Sequence, residues 1–446
     1  MTMGSLQENK THHSDILIVG AGIFGTSTAY HLSLTHPSPS SITVLDRAPF
    51  PSPQAASSDI NKIVRADYSD PFYMDLAYEA MDEWAKSSTL KPFYHQTGWV
   101  MLPETDSDIA SRTRANFKRS GRPDPSSDIS HSDIRSKWDG VFKDMDMTGF
   151  GQAYYNPEAG RADASAATEA LMKAAVSNGI QYKVGEVKSL IPSTPTESTT
   201  STTLHGVLTT SNDLYTSRII LLCTGAWAPW LLHPLEHQLS LPAEHRITTQ
   251  LLPAGCITTS IPLSPSDTKR YDSSPVFIYG NQGEIMPSGR DSCIKFTNAN
   301  TFTHSEIHPE TGESVPVPPL SHPQSFVPEP LKLESQDLIR RRIPSLLLST
   351  SPILEWRICH DILTRTQDQL ICPHPSKLLT NLYFATGGSF HSWKFLPTIG
   401  KYVVKMLNGT GNEEEKERRW SWKIGDQGRR GAHEKVWPRR AFADFI

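Results

Sequence analysis

The hydrophobic and polar positions fall into order first between Asp15 and Asp46. The apolar run Ile16–Val19 leads into Gly20-Ala21-Gly22-Ile23-Phe24-Gly25. Small and apolar residues then continue to about Leu34. After a Pro/Ser stretch a second apolar run, Ile42–Leu45, ends on Asp46. This pattern predicts strand, helix, strand. Met74, Leu76, Ala77, Met81 and Trp84 recur at helical spacing and predict an amphipathic helix over Pro71–Lys91. Ala164–Ser177 reads as an Ala-rich helix capped near Asp163 or Ser165. Thr97–Leu102, Phe150–Tyr155, Gln181–Leu190, Leu204–Leu208 and Arg218–Cys223 read as strands.

Arg246–Leu252, Val276–Tyr279 and Ser292–Asn298 read as strands of a different, antiparallel sheet. A helix over Leu333–Ile343, a strand over Ile353–His360, short strands at Leu370–Cys372 and Leu382–Ala385, and a helix over Ile399–Leu407 follow. Ser107–Trp138 is polar with helical stretches, and Asn156–Asp163 reads as a loop. Ile307–Pro330, rich in proline, reads as irregular. Pro192–Thr203 is low-complexity and expected to be an exposed loop. The polar Met1–His13 is expected to be disordered, and the tail with Trp420, Trp422 and Trp437 to fold over the body.

The βαβ elements thus sit at the start, middle and end, with the strand-rich region between them. The expected fold class is α/β with an α+β second domain. Segments 14–95, 150–245 and 350–410 would build a discontinuous Rossmann-like domain. Segments 96–149 and 246–349 would build an antiparallel-sheet domain, and 411–446 a tail. No internal repeat is evident.

Composition narrows the classes. A net charge of −4 over 446 residues gives no electrostatic case for nucleic acid or an anionic membrane. The longest apolar run, Ile219–Leu232, is too short for a bilayer span and contains Pro229. No secretory signal pattern opens the chain. The scattered Cys223, Cys256, Cys293, Cys359 and Cys372 argue against a disulfide framework, and no pair has metal spacing. An intracellular location is expected, cytoplasmic or peroxisomal without the SKL address, since the chain ends Asp444-Phe445-Ile446. A monomer is expected.

The opening motif carries the first chemistry. Gly20 would permit the tight turn, Gly22 would let backbone approach a pyrophosphate, and Gly25 would let helix and sheet pack closely. The helix N-terminus would receive the phosphates, and Asp46 the ribose hydroxyls. Lys62 and Arg65, three apart, read blandly as a solvated basic turn. The small residues of Thr224-Gly225-Ala226-Trp227 suit close approach of a ligand.

Taken with this fingerprint, RADASAATEAL (Arg161–Leu171), LLCTGAWAPWLL (Leu221–Leu232) and FATGGSFHSWKFLPTIGK (Phe384–Lys401) resemble the D-amino-acid-oxidase-like flavoproteins. The resemblance is strongest to the sarcosine oxidase branch, near the saccharopine/pipecolate oxidases and fructosyl amino acid oxidases. It spans Asp15 to about Trp420. It implies FAD rather than NAD, and a Rossmann-like FAD domain beside an antiparallel substrate domain. It puts the cofactor against Gly20, Gly22, Ile23, Phe24, Gly25, Asp46, Arg47, Ser58, Lys62, Val187, Gly225, Gly387, Gly388, His391 and Lys394. EWRICHD matches the segment whose cysteine carries FAD covalently, which implies Cys359. His360-Asp361 departs from the aromatic or apolar residues common there. HSWKFLP implies that Lys394 meets the substrate carboxylate, and NKIVRADY that Arg65 clamps it while Lys62 lies nearer the flavin. CIKFTN implies that Lys295 lies over the flavin and activates oxygen.

The implied reaction is oxidation of the C–N bond of a secondary-amine amino acid to an imine, with O2 reduced to H2O2. The partners would be a small amino-acid or amine substrate and O2. Alternatives are a deglycating oxidase of fructosyl amino acids, a tailoring oxidase acting on another amine or an alcohol, an NAD-dependent dehydrogenase, and a flavin-binding protein without catalysis.

Overall fold

Backbone hydrogen bonding sorts most strands into two large sheets. The computed structural model describes residues 10–193, 203–348, 355–425 and 437–446. In the first sheet Thr11–Val19 lies between parallel neighbours, Ile42–Asp46 on one edge and Leu214–Leu222 on the other. Gln181–Val184 and Leu382–Thr386 extend the parallel run. Both faces are covered, so these strands are apolar almost throughout. Ile18 and Val44 face Ile23–Thr35, Ala164–Ser177 and Ile399–Leu407. Leu17, Val19 and Leu222 face Ala228–Gln238 on the other side.

The second sheet is largely antiparallel. Its order is Glu355–Thr364, Leu251–Pro262, Cys293–Phe302, Gly283–Ser288, Val276–Tyr279, Trp99–Leu102, Ala153–Asn156 and Ser127–Ile129. Two segments expected in the Rossmann-like domain therefore belong here. Glu355–Thr364 bonds along the 12-residue strand Leu251–Pro262, and Ala153–Asn156 bonds to Trp99–Leu102. An apolar strand pattern states that a strand is buried, not which sheet edge receives its N–H and C=O groups.

Other differences are local. Thr11–His13, expected to be disordered, pairs in parallel with Leu214–Thr216. Gln181–Leu190 is two strands. The chain leaves the first at Gly185, whose N–H bonds Asp46 O at 2.8 Å, and returns as Val187–Pro192 at another edge. Of Arg246–Leu252 only Leu251 and Leu252 are strand, the start of Leu251–Pro262. Short 3-10 turns occupy Ala243–His245 and Ile247–Thr249, held by the buried Glu236 carboxylate on the Ile247 N–H at 2.7 Å. Ile307–Pro330 includes a small hairpin partner, Ser314–Pro316, paired with Ser305–Ile307. The Pro192–Thr203 loop lies outside the described residues from 194 to 202.

A third, three-stranded sheet positions the site. Asn61–Val64 pairs with Gly160–Asp163, which also pairs with Tyr94–His95. Gly160 is needed because a Cβ there would lie 2.1 Å from His95 O. The helix Pro71–Lys86, shorter than expected, is capped by Asp70, whose carboxylate accepts the Phe72 N–H at 3.0 Å. From the tail, Arg419 bonds Asp70 at 2.6 Å and Asp368 at 3.0 Å, and Trp420 is buried beneath it. No helix among the described residues is long and apolar enough to cross a membrane.

Candidate active site

One cavity of about 1130 Å³ runs between the two large sheets. Gly20 and Gly22 lie at one end, and Arg65 and Lys394 also line it. Gly20 has φ +102°, and a Cβ there would sit 2.5 Å from Cys223 O. A Cβ on Gly25 would fall 1.9 Å from Gly20 O, so helix and turn touch. Gly22 differs: a Cβ would meet nothing nearer than Ser57 Oγ at 3.8 Å. The space beside it belongs to the cavity. The 13-residue helix Ile23–Thr35 begins there with no acidic residue in its first turn and no side-chain cap. Its free N–H groups and dipole suit an anion. Asp46 accepts the Ala21 N–H at 2.7 Å and the Ala48 N–H at 3.2 Å, which ties the turn to the second strand. Each oxygen keeps a further lone pair for a hydroxyl. The Arg47 guanidinium lies 4.6 Å over the Trp227 ring at the wall. This end fits a dinucleotide.

A charged cluster stands midway. Lys62 Nζ is 2.8 Å from Asp59 Oδ2 and 4.0 Å from Cys359 Sγ. Lys295 Nζ reaches the same Asp59 oxygen at 2.8 Å and Asn61 O at 2.8 Å. Burial opposes the Asp59 charge, but Lys295, Lys62 and Arg357 outweigh it and hold the carboxyl far below its ordinary range. Burial likewise opposes the Lys62 charge, and Asp59 reverses that, so Lys62 stays cationic. The neighbouring Cys256 thiol, with Lys62 and Arg357, pulls the Cys359 thiol down against burial, toward thiolate. Arg357 is fixed by the carbonyls of Ser58 and Ala55, the latter at 2.9 Å.

The far end holds two cations. Lys394 is 5% exposed, and its Nζ donates to Tyr68 Oη at 2.8 Å and to the His391 carbonyl. His391 Nε2 is 2.8 Å from the Gln367 carbonyl, which can only accept, so the ring proton sits on Nε2. Nδ1, 3.1 Å from Tyr68 Oη, then accepts from the phenol. Arg65 lies 4.4 Å over the Trp99 ring and 4.8 Å over the Tyr68 ring and donates to Asp67 O. Burial, then Arg65, pushes the Lys394 pKa well below the lysine value. Among the described residues no carboxylate lies within ion-pair distance of Lys394. The turn before it is left-handed at Gly387, Ser389 and Phe390, with φ of +83°, +48° and +59°. Asp361, pushed up to about 6 by burial against two backbone hydrogen bonds, accepts the Phe390 N–H at 2.6 Å and secures that turn.

Of the residues singled out from sequence, Gly20, Gly22, Ile23, Phe24, Asp46, Arg47, Lys62, Arg65, Val187, Gly225, Cys359, Gly388, His391 and Lys394 line this cavity. Gly25, Ser58, Gly387 and Lys295 do not. Gly25 packs on the turn, and Ser58 faces Ser165 at 3.5 Å while Ser57 takes the wall. Gly387 sits against Leu370 N, and Lys295 is drawn behind the wall by Asp59. Asp59, Cys256, Tyr68 and Trp99 were not foreseen. Asp59 had a visible signal, an acid three residues before Lys62. Cys256 had none, because its partner is on another strand. No group of three His, Cys, Asp or Glu among the described residues could hold a metal ion.

Comparison with known proteins bears on the family and the fold. The family model described as FAD dependent oxidoreductase matches residues 15–406. L-saccharopine oxidase of Schizosaccharomyces pombe is 27% identical over 427 residues, covering 92% of this chain and 94% of that protein. Mouse peroxisomal sarcosine oxidase is 23% identical, covering 89% and 93%. The solved fructosyl peptide oxidase from E. terrenum superimposes with a TM-score of 0.81 at 25% identity, covering 97% of each chain.

Proposed function

The chain belongs to the FAD dependent oxidoreductase family, and from that premise we propose that it oxidises an amino acid bearing a secondary amine, with O2 as acceptor. The observation that carries this is the buried Lys394 ammonium, with no carboxylate partner among the described residues, which shares the Tyr68 ring with Arg65. Two cations at one closed end repel and are poorly solvated. A substrate carboxylate relieves both penalties, and the Arg65 fork suits it.

FAD, when bound, supplies the two-electron acceptor between the substrate C–H beside nitrogen and O2, giving an imine and H2O2. The other contributions come from the chain. Gly22 and the helix N-terminus would hold the pyrophosphate, and Asp46 the ribose. Cys359, drawn toward thiolate by Cys256 and Lys62, is suited to carry the flavin covalently. Lys62 and Lys295 share one carboxylate, so two ammonium groups against one Asp59 leave a net positive charge beside the cavity. That charge favours electron transfer to O2, with Lys62 at the wall and Lys295 behind it. The Tyr68–His391 hydrogen bond orients Lys394 toward the carboxylate.

The likeness to L-saccharopine oxidase favours a substrate of the saccharopine type. The likeness to fructosyl peptide oxidase favours a second reading, in which the secondary amine is a fructosyl amino acid. A panel of saccharopine, pipecolate, sarcosine and fructosyl-valine, with their carboxamides, read by peroxide release, tests both. The proposal fails if the best substrate lacks a carboxylate.

A further inference from the structure

Cys256 and Cys359 stand directly opposite each other in the antiparallel pairing of Leu251–Pro262 with Glu355–Thr364. Opposed residues in such a ladder have Cα atoms about 4.5–5.5 Å apart. That lies inside the ~4.4–6.8 Å range that a disulfide spans. Both cysteines line the cavity. Cys223, Cys293 and Cys372 have no cysteine opposite them. Lys62, 4.0 Å from Cys359 Sγ, divides the roles: Cys359 is the nucleophile and Cys256 the sulfur that can resolve it.

We propose that Cys256 and Cys359 form a peroxide-sensitive dithiol, which closes into a cross-strand disulfide in any copy of the chain that has not yet received flavin. The oxidant is hydrogen peroxide, the product released by loaded copies. The Cys359 sulfur attacks one peroxide oxygen and the O–O bond breaks. Hydroxide leaves, takes a proton as water, and Cys359 becomes a sulfenic acid. The Cys256 sulfur gives up its proton and attacks the sulfenic sulfur. The S–O bond breaks, and the departing hydroxide takes that proton as a second water. Two thiols lose two electrons, and one peroxide becomes two waters. The disulfide rests on the strand pairing alone. Its consequence, that an oxidised copy cannot accept flavin until a thiol reductant reopens it, rests on the proposed attachment at Cys359.

The test uses the full-length chain made under riboflavin limitation and treated with one equivalent of H2O2. Intact mass should fall by about 2 Da, the signature of one disulfide. Two of the five thiols should be lost, and peptide mapping should link Cys256 to Cys359. Dithiothreitol should reverse the change. Cys256→Ser and Cys256→Ala should instead gain oxygen on Cys359. Oxidised chain given FAD should incorporate at least about tenfold less acid-stable flavin than reduced chain, since the nucleophile is blocked. No mass loss, a link between other cysteines, or oxygen gain on Cys359 in the unaltered chain would overturn the proposal. A Cys256–Cys359 link in a chain whose flavin is never acid-stable supports the dithiol and removes the attachment reading.

Discussion

Lys394→Met should weaken substrate binding and stabilise the empty protein at the same time. The ammonium is 5% exposed and held by uncharged oxygens, Tyr68 Oη at 2.8 Å and the His391 carbonyl. Burial, then Arg65, places its folded pKa well below the unfolded lysine value. A lysine depressed in this way costs stability as the pH falls from the unfolded toward the folded value, so the empty site is destabilised at neutral pH. Methionine keeps the length and flexibility without the charge. Replacing buried ionic groups by apolar ones gains about 1–4 kcal/mol, less about 1 kcal/mol for the hydrogen bonds lost. A net gain of about 1–3 kcal/mol raises Tm by about 1–3 °C in a chain of 446 residues. The substrate meanwhile loses one partner of a buried charge pair, about 2–5 kcal/mol. KM for the acid should rise by about 30- to 5000-fold, while the carboxamide analogue changes little. Thermal melts with and without a simple carboxylate, beside steady-state peroxide assays, measure both halves. A lower Tm, or equal KM changes for acid and amide, refutes the reasoning.

Gly22→Val should abolish flavin content in a chain that still folds, since the side chain fills cavity space; full occupancy by absorbance would contradict the phosphate cradle. Cys359→Ser should release all flavin on acid precipitation, whereas mass spectrometry of the unaltered protein should find flavin on the Cys359 peptide; a bare polypeptide mass there ends the covalent reading. Lys295→Met removes one of the two ammonium groups on Asp59, so stopped-flow should find flavin reoxidation slowed by about two to three orders of magnitude, near 3–4 kcal/mol, with reduction by substrate much less affected. Equal losses in both half-reactions would remove Lys295 from the oxygen step. Simple carboxylates should bind with proton uptake once the pH exceeds the depressed Lys394 pKa, because the anion restores the ammonium; calorimetry in buffers of different ionisation heat reads this directly.

What was legible in the sequence was what the chain encodes locally. The turn, helix and acid from Gly20 to Asp46 lie within one βαβ unit, so spacing alone identified them. Lys62, Arg65, Cys359 and Lys394 became legible through separate motifs that resemble one family. What stayed hidden depends on partners distant in sequence. Glu355–Thr364 reads as a buried strand, but only Leu251–Pro262 decides its sheet. Lys295 reads as a cation for the cavity, but Asp59 draws it behind the wall. Gly160–Asp163 reads as a loop because Asn61–Val64 and Tyr94–His95 complete it from elsewhere.

The Lys394–Tyr68 hydrogen bond joins residues 326 apart in sequence, and Lys62 meets Cys359 across 297. On a ribosome adding about 5–20 residues per second, roughly 15–65 s separate emergence of the first of these residues from the last. The sheet that holds the opening fingerprint is also incomplete until Leu382–Thr386 arrives. A nascent chain therefore presents its phosphate turn long before it has walls for a ring system, and flavin capture belongs after translation. Cys359 itself emerges only in the last roughly 2–7 s of that interval, shortly before Lys394. On the proposed attachment, cellular flavin supply, rather than the speed of synthesis, decides how long a finished chain waits with that sulfur uncommitted.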